Sequence, residues 1–142
     1  MDAEKLLGAW ELRSLRAMSP EGEISYPWGE NLSGMLIYLP DGVMTAVLMQ
    51  SGRPNLGSGL GDRPAEEMRA ILQGFDAYCG TYSLDMEAGI VTHHVEAARA
   101  PEWVGSHQIR YFELEGDLLS IRTEPMPLYG GAVLLADWRR RY

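Results

Sequence analysis

Apolar and polar residues alternate along most of this chain with a period of two. In 108–114, Gln108, Arg110, Phe112 and Leu114 fall on one face, and Ile109, Tyr111 and Glu113 on the other. In 89–97, Val91, His93, Val95 and Ala97 alternate with Thr92, His94 and Glu96. Side chains two apart on a strand point the same way, so both stretches read as strands with one face turned inward. Short apolar stretches recur between turn signals: Glu21-Gly22, Asp41-Gly42, Ala88-Gly89, Glu115-Gly116 and Gly130-Gly131. Asp-Gly between apolar runs marks a hairpin, because glycine tolerates the positive φ of primed turns. The pattern predicts strands near 8–16, 24–28, 33–40, 43–50, 79–85, 89–98, 105–115, 117–124 and 131–141. Many short antiparallel strands of this kind make a sandwich or a barrel.

One segment breaks the alternation. Met68, Ile71, Leu72, Phe75 and Tyr78 fall at helical spacing, which predicts an amphipathic helix over 64–78. Asp62 or Arg63 would cap it, with Pro64 in the first turn and Glu66 and Glu67 near the positive end of its dipole. Its apolar face is expected to pack on one end of the β-structure. Ahead of it, 51–63 holds Gly52, Gly57, Gly59 and Gly61. A phosphate-binding role does not fit: no Lys stands in a phosphate-contacting position, and Gly-x-Gly-x-Gly is not the full fingerprint. The flanking strands read as hairpins, not a βαβ unit. The loop is expected instead to act as a lid at a cavity mouth.

Composition narrows the function classes. The chain has 142 residues with 12 basic and 20 acidic side chains, a net charge of −8. That length predicts a single domain, 1–142, with a core large enough to enclose a cavity. The acidic balance disfavours nucleic acid and anionic membranes as partners. The single cysteine, Cys79, excludes an intramolecular disulfide and a cysteine-based zinc cluster. The charged start, Met1-Asp2-Ala3-Glu4-Lys5, carries no signal-peptide pattern, and no run approaches the ~18 apolar residues of a membrane span. The expected compartment is the cytoplasm.

The opening strand carries Gly8-Ala9-Trp10-Glu11-Leu12 and the closing strand Trp138-Arg139-Arg140-Arg141. A Gly-x-Trp on the first strand and an Arg on the last resemble the signature of lipocalins and their calycin-type relatives. Further segments narrow the resemblance. They are Tyr26-Pro27-Trp28-Gly29, Gly34-Met35-Leu36-Ile37-Tyr38, Asp41-Gly42-Val43-Met44-Thr45-Ala46, Tyr78-Cys79-Gly80-Thr81-Tyr82, Val91-Thr92-His93-His94-Val95-Glu96 and Trp103-Val104-Gly105. Together with Leu114-Glu115-Gly116-Asp117-Leu118 they resemble the small lipocalin-like domain family across nearly the whole chain. The resemblance implies a lipocalin-like antiparallel barrel of about eight to ten strands with a pocket inside, a size that holds one small ligand. It also implies that an arginine of the last strand packs across Trp10 and closes one end; three stand in a row. Ala97 and Ala98 replace a hydroxyl common in the family after the histidine strand.

Candidate site residues follow from phase. His93 shares a face with Val91 and Val95, so it points inward with them; it is either a general acid or base or ligand partner, or a buried histidine satisfied by a neighbour. Arg110 and Gln108 lie on the stripe of Phe112. A charged Arg there is costly unless paired, so it binds a ligand oxygen or an internal acid such as Glu96. Tyr78 and Tyr82 flank Gly80, whose missing side chain would leave room for a ligand. Trp103, after a turn, either caps the pocket mouth or covers the core edge. Tyr38, Phe112 and the adaptable Met44 complete the ligand-binding set. His94 faces away from His93 and His107 is off phase with Arg110, so no metal is expected.

Two main functions and one alternative of a different class follow. The first is binding of a small hydrophobic metabolite bearing a carbonyl, phenol or carboxylate, without cofactor. The second is a cofactor-free cyclase or isomerase of secondary metabolism in the same pocket, with His93, Tyr82 and Arg110 as catalytic groups. The other is an interaction module, as a monomer or a homodimer, joined through an exposed edge between the first and last strands.

Overall fold

The computed structural model describes residues 3–57 and 61–141. Its strands are β1 (Gly8–Met18), β2 (Ile24–Ser25), β3 (Leu32–Tyr38), β4 (Val43–Gln50), β5 (Phe75–Asp85), β6 (Ile90–Ala98), β7 (His107–Glu115), β8 (Leu118–Thr123) and β9 (Val133–Arg140), with one helix, α1 (Ala65–Leu72), between β4 and β5. Neighbouring strands pair in the order β2-β1-β3-β4-β5-β6-β7-β8-β9, all antiparallel. β9 also pairs with β1, from Trp10 opposite Arg140 to Met18 opposite Val133. That closes eight strands into a barrel, with β2 a two-residue flange on β1. Closure removes the exposed edge between first and last strands that was one route to a homodimer, since their backbone groups bond each other.

The inward phase read from the sequence holds on β6 and β7: Val91, His93, Val95, Arg110 and Phe112 are buried, while Glu113 is exposed. The strand expected over 24–28 shrinks to Ile24–Ser25, because Tyr26 enters a turn that Gly29 closes with an N–H bond to its carbonyl. The helix is also shorter than the spacing predicted. Gln73 is extended, Gly74 takes φ +69°, and Phe75 and Tyr78 belong to β5. Three apart on a strand, they face opposite sides: Tyr78 points inward and Phe75 lies under Arg53, so their helical spacing to Met68 and Leu72 is coincidental. Pro64 is itself the N-cap rather than a first-turn residue, while Glu66 and Glu67 occupy the first turn as expected. α1 buries no side chain fully, and Leu72 remains 50% exposed. It is tied to the preceding loop by Arg53, which donates to the Ile71 carbonyl and lies over the Phe75 ring.

One end of the barrel is sealed. Trp10 is fully buried and its indole N–H donates to the Leu6 carbonyl at 2.9 Å. Arg140 lies 4.2 Å over the Trp10 ring, donates to the Leu7 carbonyl at 2.8 Å and to the Lys5 carbonyl, and pairs with Asp117 at 3.4 Å. Of the three closing arginines, Arg140 therefore bolts the N-terminal turn across Trp10. Leu6, Met44, Val91 and Leu119 fill the space behind it. Each fully buried apolar side chain contributes roughly 1.5–3 kcal/mol.

Gly80 has a structural explanation. β5 and β6 change register between Cys79 and Gly80, where β6 carries an extra residue. A Cβ on Gly80 would lie 1.9 Å from the His94 carbonyl oxygen. The space beside Gly80 is taken by the neighbouring backbone at a β-bulge, not left for a ligand.

Candidate ligand-binding site

The opposite end of the barrel encloses a cavity of about 120 Å³. Leu36, Ala46, Ile121, Ala136 and Trp138 form its apolar walls, and Tyr78, His93, Trp103 and Arg110 bring polar groups to it. Asp76, Arg99 and Glu102 stand among its lining residues with Leu128 and Tyr129. A cavity of ~150 Å³ accommodates benzene, so this one is scaled to a single aromatic ring rather than to a fused system.

His93 organises the polar wall. It is 2% exposed. Its Nε2 lies 2.7 Å from the Tyr38 hydroxyl and its Nδ1 lies 2.8 Å from the Tyr78 hydroxyl. Burial, then the Arg110 charge and His94, lower its pKa from 6.5 to about 3. The ring is therefore neutral, with one N–H and one acceptor nitrogen. Tyr38 is fully buried, and among the described residues its hydroxyl meets only His93. A buried O–H without an acceptor is costly, so Tyr38 donates to Nε2. The proton on the ring then sits on Nδ1 and is donated to the Tyr78 oxygen. Tyr78 borders the cavity, and its own O–H is left to donate into it.

Arg110 stands beside this chain and is only 7% exposed. Its Nη1 donates to the Ile109 carbonyl at 3.0 Å, and its guanidinium lies 5.6 Å from the centre of the Trp103 ring. Trp103 in turn meets Tyr78 edge-on, with centroids 5.2 Å apart. Burial raises the Tyr78 phenol pKa, opposed by the charge of Arg110 and by a hydrogen bond from it. Among the described residues no carboxylate forms an ion pair with Arg110. Asp76 is engaged by Arg99 at 3.7 Å, and Glu102 is exposed. The internal partnership with Glu96 that the sequence left open is absent, because Glu96 is exposed at the β-bulge.

Four of the nine expected site residues thus border the cavity: Tyr78, His93, Trp103 and Arg110. Tyr38 sits behind His93 as its hydrogen-bond donor. Met44 and Phe112 are core residues that do not border the cavity. Tyr82 packs edge-on against Tyr38, and its hydroxyl donates to the Leu39 carbonyl at 2.7 Å, away from the cavity. Gln108 lies beyond the rim and donates to Ser106. No described residue of the 51–63 loop borders the cavity, and Ser58, Gly59 and Leu60 lie outside the described residues. Sequence reasoning missed Ile121, Thr123 and Trp138. The period-two phase with Leu119 pointed to the first two; Trp138 had been absorbed into the closing motif. His94 and His107 meet on the outer wall, with their Nδ1 atoms 2.7 Å apart. No group of three or more metal-ligating side chains occurs among the described residues. No described helix is long and apolar enough to cross a membrane.

Comparison with known proteins follows the same lines. The chain is 28% identical over 95 residues, 61% of its length and 86% of the relative's, to the 4'-hydroxy-3'-methoxypropiophenone carrier protein ppsC of Aspergillus oryzae (strain ATCC 42149 / RIB 40). A lipocalin-like protein from Bacteroides uniformis ATCC 8492 aligns with a TM-score of 0.47 and 17% identity, covering 96% of this chain and 98% of that one. Wild-type fluorescent protein UnaG aligns with a TM-score of 0.43 and 16% identity, covering 98% and 99%. The family model of the lipocalin-like domain matches residues 7–133, nearly the whole barrel, and the chain belongs to that family.

Proposed function

We propose that this chain binds a small, one-ring aromatic metabolite through an oxygen function, held by the Tyr78 hydroxyl and the Arg110 guanidinium inside the barrel. The observation that carries this reading is a pair of cavity-lining donors with bonding capacity to spare: Tyr78, oriented by the Tyr38–His93 chain, and a buried Arg110 that donates to the Ile109 carbonyl and to Tyr78 but, among the described residues, pairs with no carboxylate. Hydrogen bonds from a charged donor are the stronger kind, so a ligand oxygen that takes up the remaining donors of Arg110 and the Tyr78 O–H is held firmly in these apolar surroundings. The apolar walls and the volume of about 120 Å³ suit one ring. The carrier relative is named for an aryl ketone that also bears a phenol and a methoxy group, which is the same chemical class.

The cyclase or isomerase reading requires a proton-transfer group near neutral pH. His93, lowered to about 3 and bonded at both nitrogens, is a poor base, which favours binding. The test is a titration of 4'-hydroxy-3'-methoxypropiophenone followed by tryptophan fluorescence, with chromatography of the recovered ligand. Saturable binding, weakened about tenfold or more in Arg110→Leu, with the ligand recovered unchanged, is the expected result. Absence of binding to wild type would sink the proposal, and conversion of the ligand would turn it into an enzyme.

A further inference from the structure

The interior charge balance says more about the state in which a ligand is held. The groups facing the cavity's polar wall are Arg110 from β7, His93 from β6, and Tyr78 from β5, with Tyr38 from β3 behind His93. His93 has no site for another proton without losing the bond that one tyrosine makes to it. The two tyrosines are buried phenols, raised above their ordinary value by desolvation. Arg110 is therefore the one charge committed to this wall. At the mouth, Asp76 pairs with Arg99 and feels the Arg110 charge without contacting it, and Glu102 is solvated. A buried cation with no carboxylate in direct contact is a costly arrangement in a protein interior. It is relieved more by an anion than by a neutral acceptor.

We propose that the site selects its ligand as an anionic oxygen, so that a phenol enters or remains in the barrel as its phenolate. The inference rests on the pocket reading above and deepens it from "an oxygen function" to the conjugate base of a weak acid. The chemistry is a single ionisation. The ligand O–H bond breaks, its electron pair stays on oxygen, and the proton leaves to bulk water. The protein stores no proton, because the hydrogen-bond chain already has one donor for each acceptor. The phenolate oxygen then accepts from the Tyr78 O–H and from the guanidinium, two charge-assisted bonds of the strong kind. The apolar walls hold water away from the charge and strengthen both. The donor polarity also excludes a competing class: a ligand offering only N–H donors, such as an anilinium, meets donors and a cation.

4-Nitrophenol is the probe, because its phenolate absorbs in the visible and its phenol does not. The bound ligand is titrated spectrophotometrically from pH 5.5 to 8.5, alongside isothermal titration in buffers of different ionisation enthalpy. A bound phenol whose apparent pKa falls by one unit or more means that the phenolate binds at least about tenfold tighter than the phenol. That fall, with proton release at pH 6, is the expected result. Arg110→Lys is expected to keep most of it, and Arg110→Leu to abolish it. Binding of 4-nitrophenol with an unchanged or raised pKa overturns the inference while leaving the pocket reading intact. Binding of the neutral isostere 4-nitrotoluene without binding of 4-nitrophenol overturns it equally. Failure of wild type to bind either compound removes the pocket reading and the inference with it. The wild-type titration decides the matter even where a variant fails to fold.

Discussion

Two arginines of this barrel lie over tryptophan rings, one at each end, and their surroundings differ. Arg140 covers Trp10 at 4.2 Å and is engaged by two backbone carbonyls and the carboxylate of Asp117. Arg110 lies 5.6 Å from Trp103, donates to one backbone carbonyl, that of its own neighbour Ile109, and to Tyr78, and has no carboxylate in ion-pair contact among the described residues. The first arginine is a fastening whose hydrogen-bond capacity is filled by the fold. The second is buried with capacity unfilled. Folding alone accounts for Arg140 and leaves Arg110 costly, and a side chain that folding does not explain is where binding is to be sought.

The sharpest way to break this contrast is at the sealed end. Trp10→Ala removes the largest fully buried side chain there, along with the N–H bond to Leu6. A loss of about 3–5 kcal/mol is expected from urea unfolding; a loss under ~1 kcal/mol would show that the seal is not structural. The arginines themselves come next. Arg140→Leu leaves the Leu7 and Lys5 carbonyls without their donor and is expected to cost about 2–3 kcal/mol. Arg110→Leu substitutes an apolar group for a buried charge that has no carboxylate partner among the described residues. It is expected to change stability by less than ~0.5 kcal/mol or to raise it, while weakening ligand binding. Equal destabilisation by both changes would erase the distinction between the two ends.

A smaller effect tests His93. Its pKa is lowered from 6.5 to about 3 in the folded chain. The unfolded chain therefore takes up a proton first as the pH falls. The stability this group contributes is fully present above pH 6.5 and is lost progressively toward pH 3. Between pH 7 and pH 5 the loss amounts to about 2 kcal/mol. His93→Gln, neutral throughout, is expected to show a shallower decline over that interval by about this amount. Parallel slopes in the two proteins would mean that His93 is not held neutral by the fold.

The period-two pattern made the barrel legible, together with the inward direction of His93 and Arg110, because each strand shows its two faces locally. What His93 and Arg110 meet was not legible. Tyr38 reaches His93 across the barrel from 55 residues away, and Tyr78 from 15. Strand register sets those distances, and only the closed sheet fixes register. The same limit misplaced Tyr78, whose helical spacing to Leu72 hid the break at Gly74. It also misread Gly80, which serves a bulge set by the partner strand. Tyr82 and Phe112 share inward faces with true cavity residues yet miss the cavity, because phase gives the face and not the depth along the barrel.

The mildest prediction uses the residue beside His93. His94 points through the other face of β6, bonding Ser83 at 2.9 Å and His107 at 2.7 Å on the outer wall. Those bonds replace water rather than a dry interior, so their net worth is small. His94→Ala is expected to change stability by less than ~0.5 kcal/mol at pH 7 and to leave ligand affinity unchanged. A surface bond of ordinary length thus counts for little where a buried one of the same length fixes the donor polarity of a site. A His94→Ala cost comparable to that of losing a His93 partner would show that the outer wall, too, excludes water, and that burial rather than phase had been misjudged.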